Sequence, residues 1–393
     1  MIIKRSVIDK ANRLYQLPPD IFSFTREKAR PAGLKKIELL DLARFNWPVQ
    51  MEDDNIPAGP QFKIAGRQSL LRLKEALADW LSARHGVKLN PAKEIFIGGS
   101  ISSLILTTAM AFIDNGDIVF VPELGLPLYK KVTTACGGEP VHYSISRKND
   151  WNPNFERITT RLGRVARLLF LNSPHNPTGA SLGSKEMEDL VWMASRENIV
   201  IINDAAYQSI DPRASTSLLS VTGGKKVGAE VYSFAYLLGL PSLPFGFVVG
   251  NRDIISGLES ATSLLPTNIP EFHVDMALNA IRQFPGEQLK LTREAMRRSS
   301  AEATKLLSLL SMEKSGYDTT PFVWAKLSGR RNARTQAGVL YRRSRILVAP
   351  GSAFGDTGEG YLRLSLTAPP EAYQAAQSRL KRKVNLIKPG DKS

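Results

Sequence analysis

Several segments of this 393-residue chain set polar side chains at the ends of short apolar runs. Ile199–Asn203 runs into Asp204-Ala205-Ala206-Tyr207, placing a carboxylate and a phenol just beyond a strand. Ligands gather at the carboxyl ends of strands in open α/β sheets. An aspartate there can equally cap the segment that follows. Leu168–Asn172 opens into Asn172-Ser173-Pro174-His175-Asn176-Pro177-Thr178-Gly179, which taken alone is a Pro/Gly turn after a strand. Gly98-Gly99-Ser100-Ile101-Ser102 precedes a helix. Free N–H groups and the helix dipole suit a phosphate there, and Ser100 also suits ordinary capping. Arg363 stands between leucines in Tyr361-Leu362-Arg363-Leu364-Ser365. Its planar donors match a carboxylate, while the alternation also fits the solvent side of a strand. Tyr236 offers a phenol whose unperturbed pKa of about 10 makes it a reluctant base at neutral pH.

The elements that must position these residues fall into two styles. From about residue 65 to 250, helical periodicity alternates with short apolar runs bounded by Gly, Pro and Asn. Residues 66–84 carry Leu70, Leu71, Leu73, Leu77, Trp80 and Leu81 at helical spacing. Strands are expected at Glu94–Ile97, Ile118–Val121, Leu168–Asn172, Ile199–Asn203, Glu230–Phe234 and Phe247–Val249, with helices such as Ser102–Ile113 and Lys185–Arg196 between them. This alternation predicts an α/β domain with a mainly parallel sheet flanked by helices, over residues 48–285. After residue 270 a long helical tract to Leu310, broken near Pro285-Gly286, leads into Phe322–Leu327, a helix around Thr335–Arg343, Ile346–Val348, Tyr361–Leu366 and a last helix from Pro370. That is a smaller α+β domain, drawn from residues 1–47 and 286–393.

Composition narrows the function classes. The formal net charge is +15, which can attract anionic partners. Yet the basic residues are dispersed in pairs such as Lys225-Lys226 and Arg297-Arg298, and the compact Lys381-Arg382-Lys383 complements a helix C-terminus. No nucleic-acid motif with interleaved aromatics is present, and no apolar run is long enough to cross a bilayer. A single cysteine, Cys136, before Gly137-Gly138, excludes an intrachain disulfide and fits a packing role. With no secretory signal evident, a cytoplasmic setting is expected. The four histidines are isolated and lack metal-ligand spacing, so no metal is expected.

In order and spacing, from about residue 65 to residue 370, these segments resemble the fold-type I aminotransferases of class I/II, nearest to the diaminopimelate and aspartate/alanine branches. Asn172–Gly179 resembles N-x-P-x-N-P-T-G, and Asp204–Tyr207 resembles D-x-x-Y. Ala349-Pro350-Gly351-Ser352-Ala353-Phe354-Gly355 and Leu362–Ser365 resemble P-G-x-x-F-G and the later R-[IL]-S. The resemblance implies pyridoxal phosphate or pyridoxamine phosphate as cofactor. Asn176 and Tyr207 would bond its phenolic oxygen, Asp204 would keep its pyridine nitrogen protonated, and Ser100 and Ser233 would join them as cofactor-binding positions. Arg363 would fork onto the substrate α-carboxylate. It further implies a small carboxylate or amino-acid-like ligand and a homodimer that builds its sites across the interface.

Four departures cluster on the cofactor side. Ser233 and Gly246 match the family's cofactor-lysine segment, but Tyr236 stands where that segment has lysine, and a phenol cannot form a Schiff base. Pro244 stands for a phosphate-pairing arginine, Ala235 for a serine, and Leu126 for the tyrosine of a P-x-P-G-Y-P-x-Y pattern. Three readings follow. In the first the chain is an enzyme of altered chemistry with Tyr236 as catalytic group, any cofactor being held non-covalently. In the second it is an inactive pseudo-aminotransferase serving as a binding or regulatory subunit. The third is an ordinary transaminase that uses another lysine, with Lys225 and Lys226 one strand upstream of Tyr236.

Overall fold

The computed structural model describes residues 16–18, 21–22, 38–44, 63–155, 165–210, 216–240, 243–264, 267–329 and 332–385. Its centre is an eight-stranded sheet. In chain order the strands are β2 (Ile95–Gly98), β3 (Ile118–Pro122), β4 (Glu139–Ile145), β5 (Pro153–Asn154), β6 (Ala166–Asn172), β7 (Val200–Asp204), β8 (Gly228–Ser233) and β9 (Gly246–Gly250), after a short β1 (Leu40–Asp41) outside the sheet. They are ordered β2-β9-β8-β7-β6-β3-β4-β5. The run from β4 through β8 is parallel, while β9 is antiparallel to both its neighbours and β5 closes the far edge antiparallel to β4. The mainly parallel sheet expected from the alternation is therefore present.

Helices cover the sheet, and their burial explains the sequence pattern. These are α1 (Arg67–His85), α2 (Pro91–Glu94), α3 (Ile101–Phe112), α4 (Pro127–Ala135), α5 (Ser184–Glu197), α6 (Gly224–Val227), α7 (Phe234–Leu238), α8 (Arg252–Thr262) and α9 (Glu271–Arg282). With helices on both faces, central strands read as continuous apolar runs rather than alternations. Leu168, Leu169 and Phe170 of β6, and Ile201 and Ile202 of β7, are fully buried in this way. Two strands of this sheet, β4 and the two-residue β5, escaped the sequence reading. β4 carries Glu139, His142 and Ser144, lies next to the edge, and is only partly buried, so it shows no apolar run.

The second body holds α10 (Glu287–Leu309), α11 (Ala333–Ser344), α12 (Pro370–Asn385) and an antiparallel sheet ordered β10-β11-β14-β13. Its strands are β10 (Glu313–Lys314), β11 (Phe322–Lys326), β13 (Ala349–Pro350) and β14 (Tyr361–Ser365). β1 pairs in parallel with β12 (Ile346–Leu347). Two glycines set this body against the large sheet. Gly179 has φ of +76°, and a Cβ there would run into the carbonyl oxygen of Tyr317. Gly355 has φ of +135°, and a Cβ there would run into that of Glu123. Backbone bonds close both contacts, Tyr317 N donating to Thr178 O at 2.7 Å and Gly125 N to Phe354 O at 2.8 Å. Among the described residues no helix is long and apolar enough to cross a membrane.

Candidate functional site

The carboxyl edge of the large sheet brings most of the singled-out residues together. Asn172 at the end of β6 lies opposite Asp204 at the end of β7, and Asp204 lies opposite Val231 on β8. Farther along the same edge Ser233, Gly246 and Gly98 are cross-strand partners on β8, β9 and β2. Gly246 is required there because a Cβ would run into the carbonyl oxygen of Tyr232.

Asp204 is 2% exposed and doubly anchored. Its Oδ1 accepts the Ala206 amide at 3.1 Å, and its Oδ2 accepts the Tyr129 hydroxyl at 2.8 Å. Loss of water pushes its pKa up to about 6, against the pull of those two donors. Asn172 straps the loops, donating to the Asp204 carbonyl at 2.8 Å and accepting the Asn176 amide at 2.8 Å. The Asn176 side chain then donates to the Tyr207 hydroxyl at 3.1 Å. The Tyr236 ring lies 5.3 Å from that of Tyr207, tilted by 59°. Burial, with Asp204 adding to it, pushes the Tyr236 phenol up to about 12, so it stays protonated at neutral pH and keeps a proton to donate.

Arg363 completes the cluster from β14. It is 5% exposed, which overturns the reading of this residue as the solvent side of a strand. Its Nη1 donates to Asn176 Oδ1 at 2.9 Å and its Nη2 to the Ala43 carbonyl at 3.0 Å. The guanidinium carbon lies 3.9 Å from the centre of the Phe322 ring and 4.7 Å from that of Phe354. Nε is buried without a partner. Among the described residues no carboxylate pairs with it. Burial lowers its pKa to about 10, which leaves it a cation at neutral pH. A buried cation answered only by neutral acceptors and ring faces is costly unless an anion joins it.

Asn176, Asp204, Tyr207, Tyr236 and Arg363 thus form one connected group. Ser100 is apart from it: exposed, it caps α3 by accepting the Ser103 amide at 3.4 Å. Ser233 is buried at the end of β8, and its hydroxyl bonds to no member of the group. Lys225 sits at the opposite end of β8, paired with Glu94 at 3.0 Å. His175 is buried between Thr178 and Leu124. Its Nε2 meets the Leu124 carbonyl at 2.9 Å and so carries the proton, while Nδ1 accepts from the Thr178 hydroxyl at 2.8 Å. Among the described residues no group of His, Cys, Asp and Glu could hold a metal. Sequence reasoning missed Tyr129, Phe322, Phe354 and the Ala43 carbonyl as parts of this site. Two of them lie in segments that carry the resemblance, Tyr129 three residues after Leu126 and Phe354 within Ala349–Gly355, without a signal of what they touch. Tyr129 and Phe354 also line a neighbouring cavity of about 550 Å³, with Leu126, Lys130, His142 and Asp356.

A family model for aminotransferases of class I and II matches residues 46–380. The chain belongs to that family. The LL-diaminopimelate aminotransferase of Halothermothrix orenii is 28% identical over 388 residues, 95% of this chain and 98% of that protein. That of Dehalococcoides mccartyi strain BAV1 is 30% identical over 312 residues, covering 78% and 80%. Among solved structures, substrate-bound BacF from Bacillus subtilis matches with a TM-score of 0.85 at 24% identity, over 96% of this chain and 98% of that one. A probable N-succinyldiaminopimelate aminotransferase from Thermus thermophilus gives 0.81 at 21% identity, over 92% and 98%. These likenesses establish aminotransferase fold type I.

The pyridoxal phosphate implied by the family fits the polar group in part. Asp204 has lone pairs left beyond its two donors, Asn176 and Tyr207 stand beside it, and Arg363 keeps an unused donor. The residues present therefore suit a pyridine ring and a carboxylate. Within the group no side chain is a primary amine, the nucleophile a Schiff base requires.

Proposed function

We propose that this aminotransferase-family protein acts on a small amino-acid-like carboxylate, with non-standard chemistry because the Schiff-base lysine of the resembled segment is replaced by Tyr236. The observation that carries the reading is Arg363, a cation buried to 5% exposure with no carboxylate partner among the described residues and an idle Nε. A ligand carboxylate would supply the missing charge and take a forked pair of bonds. Beside it, Asp204, Asn176 and Tyr207 would hold the ring of a non-covalent pyridoxal or pyridoxamine phosphate. When bound, that group supplies an electron sink. Asp204 would hold the proton on the ring nitrogen, and Asn176 would span ring and guanidinium, its Oδ1 already on Arg363 and its Nδ2 on Tyr207. Tyr236, neutral up to about pH 12, would donate a hydrogen bond or proton to the reacting atoms rather than remove one.

The test is titration with L-amino acids and 2-oxoglutarate, with and without pyridoxamine phosphate. Arg363→Ala is expected to weaken carboxylate binding by about 2 kcal/mol, roughly thirtyfold. Equal affinity in wild type and variant would remove Arg363 from the site.

The inactive-subunit reading rests on Pro244, Ala235 and Leu126, which leave fewer polar contacts for a phosphate and a ring. It gains if carboxylates bind through Arg363 while neither vitamer does. Transamination through another lysine is disfavoured for Lys225, whose ammonium lies a strand length from Tyr236 and is engaged by Glu94.

A further inference from the structure

We infer that Tyr129 is a positioning residue that fixes the Asp204 carboxylate in one orientation and holds it as the anion a ring nitrogen needs. This deepens the reading above, and its ligand arm rests on that reading. Tyr129 is completely buried in the first turn of α4. Its ring lies nearly parallel to Phe170, 5.6 Å between centres at 24°, and its carbonyl accepts the Thr133 hydroxyl at 2.8 Å. With ring and backbone both held, the hydroxyl has one direction, toward Asp204 Oδ2 at 2.8 Å. An anionic carboxylate only accepts, so this phenol must donate.

The groups facing Asp204 come from three elements: Tyr129 from α4, Tyr207 from its own loop and Tyr236 from α7, with Arg363 on β14 acting on the two latter phenols. Among the described residues no cation bonds to Asp204 and Tyr129 is the only side-chain donor to its carboxylate oxygens. Burial favours the neutral acid, and the Ala206 amide and Tyr129 hydroxyl oppose it. Without that hydroxyl, one carboxylate oxygen would lose its anchor and the carboxyl would keep its proton to higher pH. A neutral Asp204 could not hold a cationic ring. The sequence gives no hint of this bond, because Tyr129 and Asp204 lie 75 positions apart.

Binding of pyridoxamine phosphate is measured from pH 5 to 8.5 for wild type, Tyr129→Phe and Asp204→Asn. In wild type affinity rises with pH around 6, and in Tyr129→Phe the midpoint moves up by about one pH unit, costing about tenfold at pH 5 but less than about twofold at pH 7. Asp204→Asn removes the transition. An equal loss at every pH would assign Tyr129 to packing alone and overturn the inference. A second arm needs no ligand: urea unfolding of wild type, both single variants and the double variant, at pH 5 and pH 8. With Asp204 intact, Tyr129→Phe should lower the folding equilibrium constant at least about tenfold at pH 8 and less at pH 5. In the Asp204→Asn background the same change should cost far less. Absence of that coupling sinks the inference whatever binds. If coupling is present and no variant or wild type takes pyridoxamine phosphate, the cofactor reading fails while the hold of Tyr129 on Asp204 stands.

Discussion

The Tyr236 ring packs beside that of Tyr207 in the polar cluster. If the cluster around it keeps the shape of a ring site, restoring an amine should restore covalent capture. Tyr236→Lys incubated with pyridoxal phosphate and borohydride is expected to gain one stable adduct, visible by intact mass, at that residue. Wild type should gain none there. Failure of the lysine variant to trap the aldehyde would mean that the space beside Asp204 no longer takes the ring. Arg363 makes a different kind of prediction. Its charge is buried with no carboxylate partner among the described residues, so a role in binding predicts a cost in stability. Arg363→Met should therefore bind no carboxylate yet unfold, ligand-free, at no lower urea concentration than wild type. A marked loss of stability would make Arg363 a structural strut.

At the scale of elements, two glycines permit close backbone approaches between loops of the large sheet and the antiparallel one. Gly179→Ala would suffer both a left-handed backbone and a collision with Tyr317 O, whereas Gly329→Ala, at φ of +67° in open space, would suffer the backbone term alone. The second should cost about 1–2 kcal/mol in urea unfolding and the first clearly more. Equal costs would show that the loop around Tyr317 yields. The same elements show what the sequence could tell. β6 and β7 were legible because both faces are covered, which forces unbroken apolar runs. β4 was not, because polar Glu139, His142 and Ser144 ride on a partly solvated strand near the edge. Arg363 was ambiguous for a related reason: strand alternation says which face a residue takes, not whether Phe322 and Phe354 cover that face. Tyr129 was invisible as a partner of Asp204, since a hydrogen bond between a helix and a distant strand end leaves no local pattern.

For the molecule as a whole, two buried groups pull the pH dependence of stability in opposite directions. Asp204, raised to about 6, keeps its proton longer in the native state than unfolded, so its contribution is full below about pH 4 and is lost as pH rises through 6. His175, lowered to about 4 by burial, resists the proton that the unfolded chain takes near 6.5, so its contribution is lost as pH falls. Asp204→Asn should leave only the second slope, gaining roughly 3 kcal/mol on wild type between pH 4 and 7. A parallel pair of curves would show that Asp204 titrates normally. The two backbone bonds between the sheets have a consequence of their own. The Tyr317 and Gly125 amides each point across the seam, from opposite sides and at separate places. Their exchange with deuterium can occur only when that seam opens. If the halves part as rigid units, both protons should exchange at one common rate. A carboxylate bridging the β14 arginine to the loops of the large sheet should slow the two by the same factor, which makes them a paired clock for closure.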